Sequence, residues 1–318
     1  MTGDGLPPEF ALIARHFRPL AGPGSLDLSD DAAVLAWPAG RELVVAADAM
    51  VAGVHFLPDD PPDLVARKLL RTNLSDLAAM GATPLGYLMT VSVPRNTPDA
   101  WFAGFAAGLA LDQAAFAVAL LGGDTTSTPG PVSLSLTVLG TVSPGCAVRR
   151  SGARPGDGLW VTGTIGDGAL GLLAAQGRLA DPTGFLADRY RLPRPRLGVA
   201  RHGIVSAALD VSDGLVQDIG HLCRESACGA VIEANLVPLS DAARAAGDRL
   251  ALCLTGGDDY ELAMAVPPAH DGALLAACAT AGVAVTRIGR FVSGPPAVKV
   301  RRADGSTMAL PSGGWSHL

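Results

Sequence analysis

Val132, Leu134, Leu136 and Val138 alternate with Ser133, Ser135 and Thr137, a period of two that predicts a half-buried strand. Apolar runs at residues 33–37, 43–47, 85–93 and 117–121 predict further strands, the last leading into Gly122-Gly123-Asp124. Residues 9–17 carry apolar side chains at helical spacing, and 62–80 read as a helix stopped by Gly81. Thr97 and Pro98 predict an N-cap and a first-turn proline for a helix to about residue 114. A Pro- and Gly-bearing stretch at 143–158 separates this half from a second one. There the pattern predicts a strand at 159–162, helices to about residue 206, and a strand ending at Asp210. A helix over 213–228 closed by Gly229 follows, then renewed strand–helix alternation. The expected fold class is α/β (α+β) in two domains, residues 1–148 and 149–318.

Composition narrows the function. The chain has 318 residues, 49% apolar and 17% charged, which suits two compact domains and not a disordered chain. The longest apolar candidate, 102–121, is broken by Asp112 and Gln113, and the first residues lack a basic region followed by an apolar run. A cytoplasmic protein with no membrane partner is expected. Acidic residues outnumber basic ones 30 to 24, net −6, with no basic run, so nucleic acid is not an expected partner. The five cysteines never form C-x-x-C and read as small core residues, and the six histidines show no zinc motif. There are 25 Asp against 5 Glu, and the only lysines are Lys68 and Lys299.

Asp is favoured in turns, at caps and as a hard-metal ligand. Asp30-Asp31, Asp48, Asp76, Asp124, Asp210 with Asp213, and Asp258-Asp259 mostly fall where a predicted element ends or begins. In open α/β sheets such ends border the ligand crevice. Carboxylates converging there would repel by roughly 4 kcal/mol per close pair at an effective dielectric near 20. With so little lysine, the expected compensating cation is Mg²⁺, which takes carboxylate and phosphate oxygens together. Gly122-Gly123-Asp124-Thr125-Thr126 would let backbone N–H groups approach an anion while the carboxylate holds a metal, or it is a plain glycine turn. Walker A, protein-kinase and G-x-G-x-x-G signatures are absent. Arg149-Arg150-Ser151-Gly152-Ala153-Arg154 reads either as a guanidinium clamp for phosphate or as a solvated linker. His55 sits in a Gly-containing loop after Asp48, a position that suits substrate contact, and no nucleophilic triad is recoverable.

Taken in order, Asp30-Asp31-Ala-Ala-Val-Leu, the Asp48–Phe56 run, Asn73-Leu-Ser-Asp76-Leu-Ala-Ala-Met-Gly81, Gly122-Gly-Asp124-Thr, Arg150-Ser-Gly-Ala-Arg-Pro-Gly-Asp157, Asp210-Val-Ser-Asp213-Gly-Leu and Gly256-Gly-Asp-Asp-Tyr-Glu261-Leu resemble the thiamine-monophosphate kinases. These kinases belong to the aminoimidazole ribonucleotide synthetase-like ATP-binding superfamily. The resemblance implies transfer of the ATP γ-phosphoryl group to thiamine monophosphate, with several Mg²⁺ ions and ATP as co-substrate. It implies metal ligation by Asp31, Asp48, Asp76, Asp124, Asp210 and Asp213, and by Ala46 and Ala47 through backbone carbonyls alone. Asp76, Asp124 and Asp213 are the implied catalytic set. Gly123, Asp124, Arg150 and Ser212 would contact ATP, and His55, Asp258 and Trp315 thiamine monophosphate. The implied fold is a homodimer whose N-terminal sheets form a shared barrel. Ala46-Ala47 stand where relatives often have Ser-Thr, Asp258 where Glu is common, and Asp27-Leu28-Ser29 where a Gly-containing approach is usual.

Two other readings stay open. One is another ATP-dependent synthetase of the superfamily. A selenophosphate synthetase is disfavoured, because the first cysteine is Cys146. The other is a non-catalytic Mg-nucleotide-binding protein.

Overall fold

The computed structural model describes residues 8–310 and Gly314, so Trp315 lies outside the described residues. The backbone divides into two units, residues 1–77 with 83–144 and residues 78–82 with 145–318.

Unit 1 begins with α1 (Pro8–Leu12), prolonged by a π turn (Ile13–Phe17) and a 3-10 turn (Arg18–Leu20). Then come β1 (Glu42–Val51), α2 (Pro62–Ala79), β2 (Thr83–Val93), α3 (Asp99–Phe116), β3 (Ala119–Ser127) and β4 (Ser133–Val142). The strands lie in the order β1-β4-β2-β3, with β2 and β3 parallel and the other pairs antiparallel. Helix α3 supplies the crossover that a parallel pair needs. The Ser/Leu alternation of β4 sorts its side chains as the period predicts: Leu134, Leu136 and Val138 are buried with Tyr87, Met89 and Val91 of β2. The two helices cover that face. Gln113 Nε2 on α3 donates to the Tyr87 hydroxyl at 3.0 Å, and Asn73 Oδ1 on α2 accepts from Asp48 N at 3.0 Å. The helices are pinned together by buried Asp112, which accepts from Arg67 Nε at 3.0 Å and from Arg71 Nε at 2.6 Å. The opposite sheet face is open and apolar, with Leu43, Val45 and Leu88 exposed by 48, 53 and 41%.

Unit 2 contains β5 (Gly158–Thr162), α4 (Asp167–Ala175), α5 (Phe185–Arg191), β6 (Ala207–Asp210), α6 (Leu215–Ser226), β7 (Gly229–Glu233), α7 (Asp241–Ala245), α8 (Leu250–Thr255), β8 (Leu262–Val266), α9 (Asp271–Ala281), β9 (Val285–Val292) and β10 (Val298–Arg301). Its sheet runs β10-β7-β9-β5-β8-β6 and is parallel only between β10 and β7. Strand β8 is apolar throughout because both of its faces are covered. Ala263 and Ala265 pack with Leu215, Ile219 and Leu222 of α6. Leu262, Met264 and Val266 pack with Trp160 and with Leu274 and Cys278 of α9. None of the five cysteines is in a disulfide, and all but Cys146 are buried. Among the described residues, no helix is long and apolar enough to cross a membrane.

Five expectations are corrected. Residues 33–37 form no strand. Ala21 and Gly22 occupy the edge of β3 at Leu120, while Val34 and Trp37 stay exposed. Thr97 does not cap α3. Pro98 is the N-cap, with no side-chain bond. No helix continues to residue 206, since α5 ends at Arg191 and Pro193 and Pro195 follow. Helix α6 starts at Leu215, because the N–H groups of Asp213 and Gly214 are taken by Asp218, and it closes on left-handed Ala227, not Gly229. Gly122-Gly123-Asp124 is no turn. It continues β3, paired with Leu88, Met89 and Thr90. A Cβ at Gly123 would stand 1.8 Å from the Met89 carbonyl oxygen, so only glycine lets these strands lie together there.

Candidate active site

In unit 1 the acidic residues form two groups. The first is built on β1 and α2. Asp48 lies inside β1, and its backbone N–H is received by Asn73. Asp76 follows one helical turn later on the same side of α2. Ala46 and Ala47 precede Asp48 in the strand, opposite Val138 and Thr137. His55 lies in the turn that ends β1. Its Nδ1 accepts from Val51 N at 3.0 Å, which places the proton of the neutral ring on Nε2. Buried Lys68 fixes the same turn, donating from Nζ to the His55 carbonyl at 2.9 Å.

The second group surrounds a cavity of about 660 Å³ lined by Asp30, Asp31, Gly123 and Asp124, with apolar walls from Phe17, Leu28 and Leu88. Asp30, Asp31 and Asp124 are exposed to solvent. The approach to Asp30 is strained: Leu26, Asp27 and Leu28 all have positive φ, at 52, 55 and 52°. That backbone favours glycine, and it coincides with the departure from the kinase pattern at 27–29.

The register separates the two groups. Asp48 is level with Leu136, Met89 and Gly123, whereas Asp124 is level with Thr90, Ser135 and Ala49, so the two carboxylates belong to opposite faces. They also stand on opposite edge strands, three strand spacings or roughly 14 Å apart along the sheet. Two of the carboxylates expected at element ends, Asp48 and Asp124, are in fact inside strands, and Asp76 is inside a helix.

Unit 2 gathers a third group after β6. Asp210 ends the strand, and Val211-Ser212-Asp213-Gly214 forms the turn into α6. Asp218 Oδ2 accepts from Asp213 N and Gly214 N, both at 3.0 Å. Asp213, Asp218 and His221 each bring a ligand atom within 4.8 Å of the others. Asp218 and His221 were not legible as a pair with Asp213 by motif, although the spacing 218–221 does place them on one helix face. Arg224 donates to His221 Nδ1 at 2.7 Å. Burial and then the charges of Arg224 and Arg150 lower the His221 pKa, so Arg150 acts on this group. The Arg149–Arg154 stretch is tied to unit 2 rather than free: Ala208 N donates to Arg149 O at 3.0 Å and Ser226 Oγ to Arg150 O at 3.2 Å.

Burial, then repulsion from Asp210 and Asp213, pushes the Asp218 pKa from 3.8 up to about 7, against the lowering effect of its two N–H donors. A group with this sign holds more protons folded than unfolded between pH 4 and 7, so stability falls as pH rises through that window. Asp218→Asn, whose amide oxygen can still accept both bonds, is expected to flatten that fall. Chemical denaturation in EDTA across the window checks it, and parallel curves for the two proteins would contradict it.

The 256–261 loop completes the assigned residues. Asp258 N donates to Ser212 O at 2.9 Å, so the loop lies along the Ser212 turn, and Gly257 fits there because a Cβ would approach Ser212 O to 2.2 Å. The Asp258 side chain is half-buried. Its neighbour Asp259 is turned inward, accepting from Gly166 N at 2.7 Å and Gly168 N at 2.9 Å at the start of α4. Burial raises the Asp259 pKa well above the usual range.

Residues 29–142 match the AIR synthase related protein N-terminal domain and residues 154–301 its C-terminal domain. The thiamine-monophosphate kinase of Caulobacter vibrioides is 49% identical over 300 residues, 91% of this chain and 85% of that protein. The chain belongs to the thiamine-monophosphate kinase family. A crystal structure of the Stenotrophomonas maltophilia thiamine-monophosphate kinase superposes with a TM-score of 0.81 at 39% identity, covering 88% of this chain and 91% of that one. A structure described as AaThiL complexed with AMPPCP and TMP gives 0.77 at 27% identity, covering 98% and 97%. Set against the thiamine-monophosphate kinase pattern, each unit brings its own assigned residues together in part. Asp48 with Asp76, Asp31 with Asp124, and Asp210 with Ser212 and Asp213 are local groups, whereas Asp48 and Asp124 are not neighbours.

Proposed function

We propose that this chain phosphorylates thiamine monophosphate to thiamine diphosphate with ATP, as a cytoplasmic enzyme. The observation that carries the reading is the 49% identity over 300 residues to a thiamine-monophosphate kinase. The complex described as AaThiL with AMPPCP and TMP supports both substrates. Incubation with ATP, Mg²⁺ and thiamine monophosphate, followed by chromatography, should yield thiamine diphosphate and ADP. ATP binding without product would favour a nucleotide-binding protein.

Both substrates are anionic phosphates, so the barrier is chiefly repulsion and positioning. The donor set, mainly carboxylate oxygens, fits Mg²⁺. In unit 1, Asp31, Asp48, Asp76 and Asp124 would hold it, with Ala46 and Ala47 offering backbone carbonyls. In unit 2, Asp210 and Asp213 would do so. A span of roughly 14 Å between the edge strands exceeds what one ion with ligands at about 2.1 Å can bridge, so the reading takes several ions. Held by these residues, Mg²⁺ would supply positive charge against the phosphates of both reactants. Gly123, Arg150 and Ser212 are assigned to ATP. A His55 that accepts at Nδ1 carries its proton on Nε2, a donor type that suits an anionic acceptor oxygen, and Asp258 with Trp315 suits the cationic thiazolium. The acceptor phosphate is largely ionised near neutral pH, so in-line attack needs no general base.

The open face bearing Leu43, Val45 and Leu88 supports a homodimer closed through that sheet into a shared barrel. Leu88→Arg combined with Val45→Arg is expected to give monomers in sedimentation velocity. Dimers persisting at micromolar concentration would refute the barrel.

A further inference from the structure

The 256–261 loop turns alternate side chains in opposite senses. Asp259 and Glu261 are 1 and 0% exposed, whereas Asp258 and Tyr260 are half-buried. Within the loop φ is positive at Asp258 (68°) and Tyr260 (51°), a conformation non-glycine residues adopt only where the surroundings impose it. Three backbone bonds lay the loop along the preceding turn: Asp258 N to Ser212 O at 2.9 Å, Tyr260 N to Val211 O at 2.8 Å and Val211 N to Glu261 O at 2.7 Å. Glu261 anchors the far end. It accepts from Thr162 Oγ1 at 2.6 Å, Arg189 Nη2 at 3.0 Å, and Arg196 Nε and Nη2 at 2.6 and 2.5 Å. Arg196 alone of these partners comes from a stretch without helix or strand, between α5 and β6.

We propose that Arg196 is a positioning residue for acceptor binding: its two-pronged grip on Glu261 holds the left-handed loop that presents Asp258 to the thiazolium-bearing substrate. The proposal rests on the assignment of Asp258 to thiamine monophosphate. The two ends of the loop differ in support. The Val211–Gly214 turn keeps its own anchor, the Asp218 carboxylate on Asp213 N and Gly214 N. Arg196 acts through Glu261 on the segment that carries Asp258, so loss of Arg196 is felt at the acceptor side first. Glu261 retains Arg189 and Thr162, which keeps the fold intact without Arg196.

The test compares wild type, Arg196→Met and Arg196→Lys. Arg196→Met should raise KM for thiamine monophosphate about tenfold while kcat and KM for ATP stay within about twofold, the signature of a lost substrate-side constraint. Arg196→Lys, which keeps the charge but not the fork, should fall between. Amide hydrogen exchange over residues 256–261 should quicken in Arg196→Met while that of β8 does not. An unchanged acceptor KM in an active enzyme overturns the proposal, and so does an equal rise in KM for ATP. If wild type forms no thiamine diphosphate, the substrate reading fails and exchange alone decides whether Arg196 holds the loop. Unchanged exchange at 256–261 then overturns the proposal.

Discussion

Asp124→Asn should cut kcat for thiamine diphosphate formation on the order of a thousandfold, the scale at which lost charge stabilisation of a transferring phosphoryl group is felt. The melting temperature should hold or rise. Asp is a poor strand residue, yet Asp124 stands in the body of β3, exposed at a cavity that also holds Asp30 and Asp31. Removing one of three like charges there relieves repulsion in the absence of metal. Asp76→Asn, from the group beside β1, should lose activity to a similar degree. Steady-state assays over a Mg²⁺ titration, with melts in EDTA, separate the two effects. Near-normal turnover in either variant at saturating Mg²⁺ would remove that residue from the metal set.

Glu261→Ala should be the most damaging single change to stability, costing about 3–5 kcal/mol, the usual consequence of stripping one partner from a buried ion pair. Arg189 is 3% exposed, and its other carboxylate contact, Asp167 Oδ2, is at 3.8 Å. Arg189 Nη1 already lacks a hydrogen-bond partner, so the loss of Glu261 leaves a buried guanidinium almost unsatisfied. The contrast is the pair between Glu233 and Arg301 at the edge of the same sheet, where solvent screens the charges and truncation should cost little. Urea denaturation of both variants checks the contrast. A Glu261→Ala loss no larger than that of Glu233→Ala would contradict it.

Much of this was readable in the chain itself. The period of two in β4, Gly81 after α2, and the apolar run of β5 are all local patterns that neighbouring residues alone display. The errors share one cause, a dependence on partners distant in sequence. Residues 33–37 are as apolar as a strand, but they pair with neither sheet edge, and Ala33 and Leu35 line the cavity instead. Asp259 resembles Asp258 until Gly166 and Gly168, more than 90 residues earlier, are seen to receive its carboxylate. The motif residues were legible as chemistry. Their separation onto two faces of one sheet was not, because it depends on a register that no local pattern encodes.

The passage of the chain between its units has a consequence for anyone who would dissect the gene. Ala78 and Ala79, at the tail of α2, pack with Val148, Trp160 and Val199 in the core of unit 2, although the sequence then returns to unit 1 at Thr83. A fragment starting at residue 145 would therefore lack part of its own interior. Halves made by a single cut should be insoluble apart, and a co-expressed pair, or a graft carrying 78–82, would be the way to recover either.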